Sequence, residues 1–242
     1  MNPELGTGSA AVPIGPIVVV GLQREAAIAR AAGVQVIVGG GADRTHVGSL
    51  LDAAIAAGGR GIISFGIAGG LDPELGPGAC LIGRRVVGDE AWHVADAAWV
   101  DRLGKALPAA RIADIAGVDQ PAADRTTKQR LHRATGAAAV DMESHVVARV
   151  AAAHGLPFAA VRVVCDPAGL GLPPAAVAGF RSDGGTNVAA VLRSLIAMPS
   201  QLPDLIRLAR NARVAFDQLG RSRRALGVGF GFPGRERAVQ RT

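Results

Sequence analysis

Two short acidic sites hold most of the chemistry this chain could do. In AVDMESHVVARVAAAHGLPFAAVRVVCDPAG, residues 139–169, an apolar lead-in meets Asp141, Met142 and Glu143 at a helix start, and an apolar strand later stops on Asp166. A carboxyl at the end of a buried strand is partly desolvated, which favours its protonated form and suits a general acid. Pro167 stops the strand from continuing, so Asp166 is fixed at an edge. Asp141 also reads as a helix N-cap. Glu143, in the first helical turn, reads either as a dipole-favoured carboxylate or as a ligand-binding one. Cys165 alternates with Val163 and Val161, which points it into the core as a small hydrophobe rather than toward a nucleophile's role. His145 and His154 lie nine residues apart on one helix, too far apart to hold one metal, and His46, His93 and His132 show no ligand spacing.

The elements that position these residues alternate between strands and helices. IVVVG is followed by the helical REAAIARAA, VQVIVGGG by HVGSLLDAAIAAG, and GIISFGIAGGL is a third strand running into glycines. ACLIGRRVV and ARIADIAGV are further strands. ADAAWVDRLGKAL, ADRTTKQRLHRAT, TNVAAVLRSLIAM and LPDLIRLARNARVAFDQL are helical. Such alternation predicts an α/β fold with a largely parallel sheet covered by helices on both faces, and ligands then bind beyond the carboxyl ends of the strands. Glu25, the turn Gly39–Gly41 and the loop Ala68, Gly69, Gly70 fall at those ends. Glycine there lets backbone N–H groups approach an anion or a sugar.

Composition narrows the function classes. The chain has 242 residues, hydrophobic at 49% but with only 3% aromatics and no tyrosine, so its core is built from small side chains. The scarcity of aromatics speaks against nucleic-acid binding by base stacking. The net charge of +6 comes from 26 basic residues of which only Lys105 and Lys128 are lysines. The arginines read as a solvated surface or, around Arg207, Arg210, Arg213, Arg221, Arg223 and Arg224, as attraction to an anionic partner. Two cysteines without a CxxC pair indicate neither a disulfide framework nor a zinc site. The uncharged segment 6–23 carries Pro13, Gly15 and Pro16 and no basic leader, so it reads as neither signal peptide nor membrane span. These features place the chain in the cytoplasm. One domain over 16–220 is expected, after a flexible lead-in at 1–15 and before an unstructured basic tail at 221–242.

VDMESHVVARVAAAHGLPFAAVRVVCD and GIAGGLDPELGPGACLIG resemble the purine and uridine phosphorylase superfamily, which includes the methylthioadenosine and S-adenosylhomocysteine nucleosidases. The likeness spans residues 17–195. SFGIAGGLDP, AVDMESH, the LPP after Asp166 and QLPDLIRLARNARVAF are most similar to the hopanoid-associated phosphorylases, assigned to removal of adenine from adenosylhopane. The resemblance implies a single-domain three-layer sandwich and an enzyme that breaks the N-ribosidic bond of an adenine nucleoside. Asp166 would protonate N7 of the base, Glu143 would hold the ribose hydroxyls, and Met142 would pack on the sugar. Gly39, Gly40, Gly41, Ala68, Gly69 and Gly70 would line the sugar or phosphate side, and Glu25 would stand nearest the residue that activates water. It implies no cofactor, with inorganic phosphate as a possible co-substrate, and a homo-oligomer whose neighbouring chains can complete the site. A hopanoid substrate further implies peripheral contact with the inner membrane face, through the C-terminal arginines with Phe230 and Phe232. The chain departs from the pattern in three ways. Glu25 lies one residue early, Ile67 stands where relatives carry Ser or Thr, and GVDQPAADR offers no aromatic to stack on the base. Methylthioadenosine or S-adenosylhomocysteine is the alternative substrate. A non-catalytic nucleoside- or anion-binding module is the alternative of a different class.

Overall fold

A computed structural model describes residues 15–31, 34–40, 44–88, 91–181 and 183–234; the lead-in up to residue 14, Gly41 and the last eight residues fall outside them. The strands are β1 (Ile17–Val20), β2 (Gln35–Val38), β3 (Ile62–Gly70), β4 (Cys80–Val87), β5 (Trp92–Val94), β6 (Arg111–Gly117), β7 (Ala139–Asp141) and β8 (Phe158–Asp166). The helices are α1 (Gln23–Ala29), α2 (Arg44–Ala56), α3 (Ala97–Ala106), α4 (Arg125–Thr135), α5 (Ser144–Ala153), α6 (Pro174–Ala178), α7 (Val188–Ala197) and α8 (Leu202–Ala225).

The sheet is mixed, as expected. Parallel pairings join β1 to β2 and β3, β3 to β8, β4 to β6 and β6 to β7, while β3–β7, β4–β5 and β4–β8 are antiparallel. Because β8 pairs with both β3 and β4, the path β3–β8–β4–β6–β7 returns to β3. This closed circuit brings the ends of β3, β7 and β8 together, which strand order alone does not require.

Period-two alternation along β8 divides the core between two helical layers. Ala159, Val161, Val163 and Cys165 face α1, α3 and α8 through Ala26, Trp99, Leu103, Phe216 and Leu219. Phe158 and Ala160 face α2 and α5 through Leu51, Ala54, Val147 and Ala151. Cys165 is therefore a core residue, and burial pushes its thiol up to about 12. Arg162 occupies a position on the second face and has no exposure at all.

Two expectations about the chain's organisation need correction. Trp92–Val94 forms an edge strand that the apolar pattern did not reveal. The C-terminal segment is ordered well past residue 221: α8 continues to Ala225, and Phe230 is completely buried. The Phe230 ring meets Phe65 edge-on with centroids 5.1 Å apart, and its carbonyl accepts from Trp99 Nε1 at 2.9 Å. Phe232 packs on Trp99 with centroids 4.9 Å apart. Aromatic burial, invisible in a glycine-rich segment without periodicity, fixes this end of the chain. Phe230 is therefore not available to a lipid surface, and Phe232 is partly buried against the core. Among the described residues no helix is long and apolar enough to cross a membrane.

Candidate functional site

A cavity of about 520 Å³ opens where β1, β3, β7 and β8 end. Glu25, Gly40, Ala68, Gly69, Met142, Glu143 and Asp166 all line it. Gly39 and Gly70, placed with them by the sequence, do not line it. Gly39 instead gives space to Glu143, since a Cβ there would lie 3.1 Å from Glu143 Cγ, and at Gly70 a Cβ would meet Val164 Cγ1 at 3.1 Å. Gly41 lies outside the described residues.

The glycines at these strand ends are shaped around buried side chains. A Cβ at Gly21 would stand 2.7 Å from Glu143 Oε1, and one at Gly66 would stand 2.5 Å from Glu25 Oε1 and 2.6 Å from Arg162 Nη1. Approaches that close exclude any larger residue unless the carboxylates move.

Glu143 is the N-cap residue of α5, yet its side chain makes no capping bond. It is turned inward, and the helix-dipole reading of an exposed carboxylate does not describe it. Asp141 takes the capping role, accepting from Ser144 N at 2.8 Å and Glu143 N at 3.1 Å. Asp141 also accepts from Ser144 Oγ and from Arg162 Nε. Arg162 Nη2 donates to Ser64 Oγ at 2.5 Å and lies 3.8 Å from Glu143 Oε2. Its Nη1 is buried without a hydrogen-bond partner. Burial, with repulsion from Asp141 and Glu25, pushes the Glu143 carboxyl up to about 8 against the pull of Arg162.

Glu25, in the first turn of α1, is 2% exposed. Its Oε2 accepts from Gly21 N and Leu22 N, both at 2.8 Å, and its Oε1 from Ile67 N at 2.7 Å. Reaching back over the helix start is the habit of a third-position Glu, but the bond from Ile67 ties α1 to β3 as well. Burial raises this carboxyl, while Arg162 and the three N–H donors oppose the rise. The N–H groups of Gly21, Leu22 and Ile67 thus already hold an internal carboxyl.

Asp166 ends β8 with one oxygen held from behind. Lys128 Nζ donates to Asp166 Oδ2 at 2.6 Å. It also donates to the carbonyls of Asp166 at 2.9 Å, Leu170 at 2.9 Å and Pro167 at 3.1 Å. Burial pushes the Asp166 carboxyl up and Lys128 pulls against that shift.

Sequence reasoning missed Arg162 and Lys128. Each left a signal: Arg162 interrupts an apolar strand, and Lys128 is one of only two lysines in an arginine-rich chain. Sequence also offered no base-stacking aromatic, whereas Phe180 and Phe216 line the cavity from α6's end and α8. GVDQPAADR does contribute Val118 to Ala122 to the wall. The remaining lining is largely apolar, with Leu172, Val177 and Leu208 toward the mouth. Chemically, the site pairs a carboxyl that can give a proton on one side with a second buried carboxyl on the other, in a space suited to a ring-bearing ligand.

Comparison with known proteins identifies the family and the fold. The sequence pattern described as Phosphorylase superfamily matches residues 23–197. No curated protein matches the chain. Among solved structures, the native futalosine hydrolase of Helicobacter pylori strain 26695 is similar at a TM-score of 0.60 and 16% identity, covering 87% of this chain and 97% of that one. The 5′-methylthioadenosine/S-adenosylhomocysteine nucleosidase from Helicobacter pylori, with butyl-thio-DADMe-Immucillin-A, gives 0.60 and 16%, covering 86% and 97%. The S-adenosylhomocysteine nucleosidase from Streptococcus pyogenes, with 5-methylthiotubericidin, gives 0.58 and 16%, covering 87% and 98%. At these identities the likeness is one of fold.

Proposed function

Since the chain belongs to the phosphorylase superfamily, we propose that it cleaves the N-ribosidic bond of an adenine nucleoside and releases adenine. The observation that carries this reading is that Glu143 and Asp166 line one cavity from opposite segments, β7–α5 and the end of β8. Asp166 gives a proton to N7 so that the base leaves neutral, Glu143 holds the ribose hydroxyls, and Met142 packs on the sugar. Fixed hydrogen bonds to the ribose hydroxyls hold the sugar while positive charge grows on it. A binding module without catalysis would have no use for a buried acid held by its own lysine.

Water is the attacking group in this reading, and Glu25 orients it. A carboxylate has about four lone-pair sites, three of which take backbone N–H groups here. The fourth, on Oε1, is left for water. The same three bonds occupy donors that phosphate would need. Arg181 is the one cation lining the cavity among the described residues, and Asp183 holds it at 2.8 Å.

The substrate we favour is adenosylhopane, in hopanoid side-chain synthesis. An apolar wall leads from the cavity past Val177 and Phe180, and Leu192, Ile196 and Ile206 on α7 and α8 are exposed, Ile196 at 82%. Arg193, Arg207 and Arg210 share these two helices, so the face combines apolar and cationic groups as a docking surface for anionic lipid does. The alternative, methylthioadenosine or S-adenosylhomocysteine, is favoured by the nucleosidase structures with nucleoside analogues. Purified protein given adenosylhopane, methylthioadenosine and S-adenosylhomocysteine, with and without phosphate, tests all of these points at once. Adenine with free ribose product supports the reading, and no adenine from any substrate refutes it.

A further inference from the structure

Lys128 is a buried cation committed to the loop that follows β8. It sits in α4 with no exposure, where an ammonium costs several kcal/mol to desolvate unless its protons are well used. Four oxygens surround its Nζ within 3.1 Å, all from residues 166–170, and the one charged group among them is the carboxylate of Asp166. An apolar residue in α4 would leave the carbonyls of Asp166, Pro167 and Leu170 and the Asp166 carboxylate without this donor. The ammonium is therefore devoted to one loop, and that loop begins with the acid.

The arrangement is asymmetric. Lys128 engages Oδ2, which leaves Oδ1 as the oxygen not bonded to the ammonium. Few other charged groups face this pair. On β8, Cys165 adjoins Asp166; from α1, Glu25 acts on that thiol; and Arg125, in the first turn of α4, comes up to Gly169. None of these touches the carboxylate as Lys128 does.

We propose that Lys128 is the positioning residue of the acid: it holds Asp166 by its inner oxygen and stabilises the carboxylate left when the outer oxygen has given up its proton. This rests on the nucleoside-cleaving reading above. In the step itself, the C1′–N9 bond breaks and its electron pair stays with the purine. The proton passes from Asp166 Oδ1 to N7. The oxygen of water bonds to C1′, and its proton goes to Glu25. Lys128 keeps all three of its protons throughout. Its contribution grows as negative charge appears on Asp166, so it lowers the barrier more than it favours the bound substrate.

The test compares leaving groups. Methylthioadenosine needs a proton on its base, whereas 4-nitrophenyl β-ribofuranoside releases a stable anion and needs none. Lys128→Met is expected to lower kcat on methylthioadenosine by about 10–100-fold while changing the nitrophenyl rate less than about twofold. With the ammonium gone, Asp166 holds its proton to higher pH, so the alkaline limb of kcat on methylthioadenosine moves upward. Lys128→Arg, which keeps the charge, leaves that limb near its wild-type position. Should Lys128→Met not fold, Lys128→Gln carries the same comparison. Equal losses on both substrates, or an unmoved limb, would overturn the proposal and leave Lys128 a structural residue. If the wild-type protein releases adenine only from adenosylhopane, that nucleoside replaces methylthioadenosine in the comparison; release from neither strikes the nucleosidase reading itself, before any variant is compared.

Discussion

Replacing Glu25 by alanine is the sharpest way to ask whether an internal carboxylate fills the anion site. The change removes the acceptor for Gly21 N, Leu22 N and Ile67 N together. A buried donor stranded in this way costs about 1–3 kcal/mol, so three of them at the low end cost about 3 kcal/mol. Relief of the buried charge and entry of water keep the total near that lower figure. For a chain of this size each kcal/mol moves Tm by about 2–4 °C, giving a fall of about 6–12 °C. Glu25→Gln, which keeps one carbonyl oxygen, falls by less.

The assay is thermal or urea unfolding in a buffer without small anions, repeated with formate and with phosphate. An anion that enters the vacated nest binds the folded state alone, and at 100 times its Kd it restores about 2.7 kcal/mol. Glu25→Ala is expected to gain stability from formate or phosphate while wild-type protein gains none at the same concentrations. Should Glu25→Ala be as stable as wild type without anions, or should phosphate stabilise both alike, Glu25 is not the group that fills this nest. The argument for water over phosphate then falls with it.

Three further outcomes are expected. Glu143→Gln should gain stability over wild type at pH 8 and above but not near pH 5: the folded carboxyl titrates at about 8 against an ordinary 4.5, the folded state binds the extra proton, and wild-type stability therefore falls as pH rises through that window. Urea midpoints at both pH values check it. Asp166→Asn should lower adenine release ~10²–10⁴-fold, measured by chromatography of the free base. It should also lower stability by about 3–5 kcal/mol, because it leaves the buried Lys128 ammonium without its charged partner. Leu192→Glu with Ile196→Glu should abolish salt-sensitive flotation with anionic vesicles and leave methylthioadenosine turnover intact; a wild-type protein that fails to float would end the membrane-docking idea.

Much of the fold was legible in the sequence because apolar runs of period two and 3.6 dominate it. Trp92–Val94 was not, since a three-residue edge strand is too short to show a period. The C-terminal segment failed for a related reason. Glycine spacing hid Phe230 and Phe232, whose burial depends on Phe65 and Trp99 far away in the chain. Of the site, Glu143, Met142, Asp166 and Gly69 were found because a helix start or a strand end marked them. Arg162 and Lys128 were passed over because each looked like one more cation on a basic chain, and only the closure of β3, β7 and β8 turns them inward.

That closure also explains why the glycines cannot be read one at a time. Asp141, Glu143 and Glu25 all act on the single guanidinium of Arg162. Burial, with repulsion from Asp141 and Glu25, raises the Glu143 carboxyl to about 8 against the pull of Arg162. Gly21, Gly39 and Gly66 are the backbone's share of this arrangement, since a Cβ at any of them would press on Glu143, Glu25 or Arg162. Alanine at Gly21 should therefore mimic loss of Glu143: a Cβ 2.7 Å from Glu143 Oε1 must displace the carboxyl from its seat. Weaker binding of ribosides, with Asp166 and its alkaline limb untouched, would show that the glycine serves the carboxylate. Unchanged binding would show that Glu143 does not meet the sugar.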